Sequence, residues 1–205
     1  DQPLPVLLEL DPRGKKAVLE NQLWVSRLLR AGIAHAAIDL PGLGELGPGD
    51  FRGDAYDFKV GTGNYNIWFL SSLIGRSVVA VQAADLVRVS RFLAGESRLD
   101  ANRLSVVARG ALGPVLLHGA AFGNSLSRAA LVDGPISYEQ IVKERFYRPE
   151  WIVGTVPGAM TTYDLPFLTA LVRPRPLLVL NPLDGAGKPL DETGLEEVYG
   201  AYRGL

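Results

Sequence analysis

The chain has 205 residues, enough for one substantial core, and no cysteine, which excludes disulfides, thiolate catalysis and cysteine-built zinc sites. Lys and Arg number 21 against 22 Asp and Glu, a formal net charge of −1 without the basic excess of a phosphate-backbone binder, so nucleic acid is excluded as a partner. With 47% hydrophobic residues and no apolar run near the roughly 20 of a spanning helix, the composition reads as a soluble globular chain with no membrane partner. LPVLLEL (4–10) is a buried strand, and DPRGK (11–15) is its exit turn. Residues 18–30 carry Leu19, Leu23, Trp24, Leu28 and Leu29 at helical spacing and stop before Gly32. IAHAAIDL (33–40) is a second strand, followed by the glycine- and proline-dense loop 41–49.

A long excursion, 50–66, precedes the next helix. Its Arg52, Asp54, Tyr56, Asp57, Tyr65 and Asn66, with Trp68 just beyond, suit either a carbohydrate-facing surface or an ordinary ordered loop. Residues 77–95 form an amphipathic helix, with Val78, Val81, Ala84, Leu86, Val89, Phe92 and Leu93 expected on the buried side. RLSVVA (103–108) is the third strand and GPVLLHGAAF (113–122) its helix. RAALVDG (128–134) and RPLLVLNPLD (175–184) are the fourth and fifth strands. The aromatic-rich segment between them, 137–173, either caps a pocket or is a plain crossover, and the tail from 194 reads as helix.

Five apolar runs separated by helices predict an α/β architecture: a doubly wound, mostly parallel sheet with helices on both faces, in one domain spanning 1–205. Ligands of such sheets bind at the carboxyl ends of the strands, here the loops 11–15, 41–49, 108–113, 133–137 and 181–189. Asp39, Glu45, Asp133 and Asp184 bring acids to that edge. The only histidines, His35 and His118, fall within a strand and a helix and are expected to be packed residues, so nothing specifies a metal site. Neither a GxxxxGK nor a GxGxxG follows a strand, and no cofactor is expected.

The segments DPRGK (11–15), DLPGLGE (39–45), GRSVVAVQAADLVRVSRFL (75–93), LDANRLSVVARGALGP (99–114) and RPLLVLNPLDGAGKPL (175–190) resemble, in order, the α/β-hydrolase superfamily. The similarity is to its acetyl xylan esterase-like and dienelactone-hydrolase-like branch. The resemblance implies a GxSxG nucleophile turn where Ala108-Arg109-Gly110-Ala111-Leu112 stands, with Gly110 in the serine position and backbone donors near Gly110 and Ala111 as the oxyanion hole. It implies Asp184, in Asn181-Pro-Leu-Asp184, as the acid, although an Asp-Gly turn explains that residue equally.

The family's histidine follows a further strand, and the chain reaches Leu205 before one. The domain is therefore expected to be incomplete at both ends, a fragment or processed product, as its start at Asp1 without a leader also suggests. Without a hydroxyl the turn keeps its backbone donors, a helix N-terminus and Arg109, with Arg13 in the neighbouring turn, a set that favours a carboxylate or acetate; Arg109 is equally explained as a solvated turn residue. Two readings follow. One is an esterase-like domain, impaired or inactive, related to hydrolases of acetylated carbohydrate and completed by a companion domain or further chain segment. The other is a non-catalytic module that binds a small-molecule ligand or another domain. Neither specifies a cellular compartment.

Overall fold

The computed structural model describes residues 2–47 and 65–202. Five strands form one all-parallel sheet: β1 (Leu4–Leu10), β2 (Ala34–Ala37), β3 (Leu99–Arg109), β4 (Arg128–Val132) and β5 (Leu177–Leu180). Their order is β2-β1-β3-β4-β5, so the chain winds outward in both directions from the β1/β3 boundary, as expected. Register aligns Val6 with Leu104, Leu8 with Val106 and Leu10 with Ala108, and all six side chains are buried. Alternation along β1 turns Glu9 to the opposite face of the sheet.

The helix expected over 18–30 is two helices, α1 (Lys15–Leu19) and α2 (Gln22–Arg30). Asn21 makes the break: its side-chain oxygen accepts from Trp24 N–H at 3.2 Å and starts α2 afresh. Residues 48–64, which include Arg52, Asp54, Tyr56 and Asp57, lie outside the described residues. Tyr65, Asn66 and Trp68 belong to α3 (Tyr65–Leu73), which Trp68 ties to Thr155 O at 2.9 Å.

In α4 (Val78–Gly95) the buried stripe is Val78, Val79, Gln82, Ala83, Leu86 and Ser90, while Val81 and Phe92 face outward. The expected face is therefore rotated. Gln82 explains the rotation, because its amide donates to Pro41 O at 2.8 Å and so enters the core as a satisfied polar group. The helix α5 (Gly113–Phe122) follows β3 and is buried over eight of its residues. It packs on α4, and both lie against β3.

The crossover from β4 to β5 contains α6 (Tyr138–Lys143), a 3-10 turn at Pro149–Gly154 and α7 (Leu165–Leu171). Asp164 caps both helices, accepting from Tyr138 N at 2.6 Å, Leu165 N at 2.7 Å and the Ser137 hydroxyl at 2.6 Å. After β5, Asp191 caps α8 (Glu192–Tyr199) through Gly194 N at 2.9 Å. Among the described residues no single helix is long and apolar enough to cross a membrane.

His118 is a core residue of α5. Its Nδ1–H donates to Pro114 O at 2.7 Å, and in the neutral ring Nε2 then accepts from the Tyr163 hydroxyl at 2.7 Å. Burial holds its pKa below the ordinary 6.5, against the opposing pull of the Pro114 carbonyl. The unfolded chain then takes up this proton first as pH falls, and stability drops below pH 6.5 by at most about 1.4 kcal/mol per unit until the folded-state ring also protonates. Urea titrations between pH 7.5 and 5 are expected to show a shallower pH dependence for His118→Gln than for the unmodified chain. Equal slopes would exclude this assignment.

Candidate functional site

The β3-to-α5 junction is a sharp bend. Arg109 closes the strand in extended conformation, Gly110 turns left-handed at φ 53°, and a 3-10 turn at Gly110–Leu112 runs into α5. Glycine reaches this φ at no steric cost, whereas a Cβ-bearing residue such as alanine or serine is strained there. A Cβ built on Gly110 would lie 3.6 Å from Pro12 Cγ and 4.0 Å from Asp133 O, in ordinary contact and pointing between the loops after β1 and β4.

Two other glycines clamp the bend from behind. A Cβ on Gly134 would fall 2.6 Å from Gly110 O, and one on Gly154 would fall 2.6 Å from Ala111 O. The turn is held by backbone packed on backbone.

In front of it opens a cleft of about 410 Å3, at the carboxyl ends of the strands and beside the β1/β3 switch point. Arg13, Arg109, Gly110, Ala111, Asp133 and Trp151 line it, with Asp11, Arg148, Glu150 and Leu183 among the rest. A second chamber of about 320 Å3 shares Asp11, Arg13, Arg109 and Asp133 with the cleft, and Glu9 and Trp24 extend it toward α2.

Each cation here stands by an acid. Arg13 binds the Asp11 carboxylate through Nε at 2.9 Å and Nη2 at 2.8 Å, a bidentate pair. Burial alone would raise the Asp11 pKa; the Arg13 side-chain and backbone bonds, with the Arg13 and Arg109 charges, overcome it and hold the carboxyl below its ordinary value. Arg148 lies over the Trp151 ring at 5.0 Å and reaches Glu150 at 3.2 Å. Arg109 approaches Glu9 Oε1 at 3.5 Å, the loosest of these pairs.

Glu9 is the residue that pattern reading missed. Its side chain is 4% exposed, and Oε2 accepts from Trp24 Nε1 and from His35 Nε2, each at 2.7 Å. A carboxylate inside an otherwise apolar buried strand was the available signal, since such a group persists only with donors around it. His35 is thus engaged in β2 by Glu9.

Asp184 follows β5 beside the cleft. Its Oδ1 accepts from Lys188 N at 2.8 Å within its own turn, while its carbonyl accepts from Trp151 Nε1 at 3.2 Å. Leu183 is the residue of this turn that lines the cleft. Asp133, at φ 54°, turns its backbone carbonyl toward Gly110, and its carboxylate accepts from Asn181 Nδ2 at 3.0 Å.

Asp39 and Glu45 play another part. Asp39 accepts from Lys15 N at 2.7 Å and Glu45 N at 3.1 Å, and Lys15 reaches Glu45 at 2.7 Å, so the three pin the loops after β1 and β2 together. The crossover contributes Arg148, Glu150 and Trp151 to the cleft wall. No serine, threonine, cysteine, lysine or histidine is among the described residues lining cleft or chamber, and no cluster of metal-binding side chains occurs among the described residues.

No protein-family model matches the chain, and no curated protein sequence matches it. Solved structures do. A protein of Bacteroides fragilis, provisionally named an acetyl xylan esterase, superposes with a TM-score of 0.70 at 15% identity, over 98% of this chain and 56% of its own. An acetyl xylan esterase from Paenibacillus sp. R4 gives 0.60 at 17% identity, over 91% and 62%. A CE15 glucuronoyl esterase from Teredinibacter turnerae gives 0.53 at 20% identity, over 87% and 49%. The chain therefore has the α/β-hydrolase fold and spans roughly half to three-fifths of the length of these neighbours.

Proposed function

We propose that this α/β-hydrolase-fold chain is an esterase-derived module that has kept the nucleophile turn and given up covalent catalysis, and that it holds a carboxylate or acyl group of a carbohydrate ester without hydrolysing it. The observation that carries this reading is Gly110. The bend is present and clamped, its apex is aimed between Pro12 and Asp133, and there is no oxygen on it to attack a carbonyl.

What remains suits binding. The backbone N–H groups after Gly110 open α5, and Arg109 stands next to them with a guanidinium whose five donors are only loosely engaged by Glu9 at 3.5 Å. Arg13, by contrast, is committed to Asp11 by two short bonds, so its part is to hold that wall of the cleft. The ligand class follows from the neighbours, which are named as acetyl xylan and glucuronoyl esterases.

Hydrolysis belongs to this reading only with a companion segment. A further strand bearing a histidine would have to face Asp184, whose carboxylate would leave Lys188 N to orient it, and a nucleophile would have to come from outside the described residues. Isothermal titration with acetate and with methyl glucuronate is expected to give saturable binding that Arg109→Gln weakens about tenfold or more, the usual weight of a hydrogen bond to a charged group. Binding unchanged in Arg109→Gln, or no binding of either ligand, would overturn the proposal.

A further inference from the structure

The crossover builds a second cavity that the proposed function does not use. The helix α6 forms one wall and residues 152–161 the other, enclosing about 430 Å3, a volume typical of small-molecule sites. It shares no lining residue with the cleft. The segment 147–152 separates the two: Arg148 and Trp151 line the cleft, whereas Tyr147 and Ile152 line the cavity.

The lining sets the chemistry of an occupant. Ile141, Val156 and Met160 give apolar walls, Tyr147 adds a partly exposed aromatic side chain, and Tyr138, 3% exposed, lies in the floor. Polar atoms at the wall are already engaged: the Tyr138 hydroxyl donates to Gly154 O at 3.0 Å, and the Thr155 hydroxyl donates to Ile152 O at 2.7 Å. Glu144 is the one charged residue among those lining it, and one of its carboxylate oxygens accepts from Phe146 N–H at 2.9 Å.

An aromatic ring and a thioether favour an aromatic guest over an alkyl one through edge, face and sulfur contacts. A lone carboxylate repels an anion and accepts from a neutral hydroxyl. We infer that this cavity binds a neutral phenol, its ring held against Tyr147 and Met160 and its hydroxyl donating to Glu144. The inference does not depend on the reading of the cleft, since none of these residues belongs to it.

Ligand-observed NMR titration of the whole chain with p-cresol, toluene and p-toluate tests it. The expected result is saturable p-cresol binding with a Kd on the order of 1 mM, as befits so small a ligand, with toluene weaker and p-toluate weaker still. Met160 is 45% exposed, so Met160→Trp can close the mouth without disturbing the core, and it is expected to weaken p-cresol about tenfold with an unchanged melting temperature. Glu144→Gln is expected to weaken p-cresol several-fold and to leave toluene unaffected. Absence of saturable p-cresol binding, equal binding by Met160→Trp, or p-toluate binding as tightly as p-cresol would overturn the assignment. An unchanged p-cresol affinity in Glu144→Gln would overturn the role given to the hydroxyl.

Discussion

Gly154→Ala is expected to destabilise the protein by about 3 kcal/mol or more, while Gly110→Ala costs about 1 kcal/mol. The chemical change is the same at both positions. At Gly154 the new methyl would lie 2.6 Å from Ala111 O, a backbone atom with no rotamer to yield, so either the 149–154 turn or the bend after β3 must move. Gly134→Ala meets Gly110 O at 2.6 Å and is expected to behave in the same way. At Gly110 the methyl makes only ordinary contacts, 3.6 Å from Pro12 Cγ and 4.0 Å from Asp133 O, and the loss is confined to the strain of a left-handed φ at an L-residue. Urea denaturation of the three variants measures the contrast. Equal losses at 110 and 154 would mean that the bend is not clamped from behind.

Glu9→Ala is expected to cost about 2 kcal/mol or more, because each buried donor left without an acceptor costs about 1 to 3 kcal/mol. Three donors lose their acceptor at once: Trp24 Nε1, His35 Nε2 and the Arg109 guanidinium. The first two are within the packed face between β1, β2 and α2, where an unsatisfied donor is expensive. Glu9→Gln keeps a carbonyl oxygen for two of them and is expected to lose less. Because Arg109 also faces the cleft, both variants are expected to weaken acetate binding, Glu9→Ala more than Glu9→Gln. A Glu9→Ala protein as stable as the unmodified chain would remove the network from the account.

The sequence carries the frame of this molecule at its apolar runs. LPVLLEL is β1 to the residue, and Gly113–Phe122 is α5 to the residue, because glycine and proline punctuate both stretches sharply. The face of α4 is less legible, since Gln82 reads as polar and its burial depends on the Pro41 carbonyl 41 residues away. Local periodicity contains no such long-range partner.

The same limit hides the cleft. Gly110 and Arg109 could be placed by their position after a strand, but Arg148, Glu150 and Trp151 come from a crossover built of a 3-10 turn with no period to read. Glu9 looked like one letter in a hydrophobic run, and its meaning depends on Trp24, His35 and Arg109 converging on it. Asp184 was placed by its motif, yet hydrogen bonding decides what its carboxylate faces, and that bond goes to Lys188 N.

The central claim is that the bend after β3 survives as a binding frame without a reacting atom. Incubation of the unmodified chain with p-nitrophenyl acetate, followed by release of nitrophenolate and by intact-mass spectrometry, tests it most directly. The account predicts release at the uncatalysed rate and no acetyl adduct of 42 Da, the mass that acetyl transfer to any nucleophile adds. Turnover above background that disappears in Asp184→Asn, or a stoichiometric adduct on any residue of the chain, would contradict it.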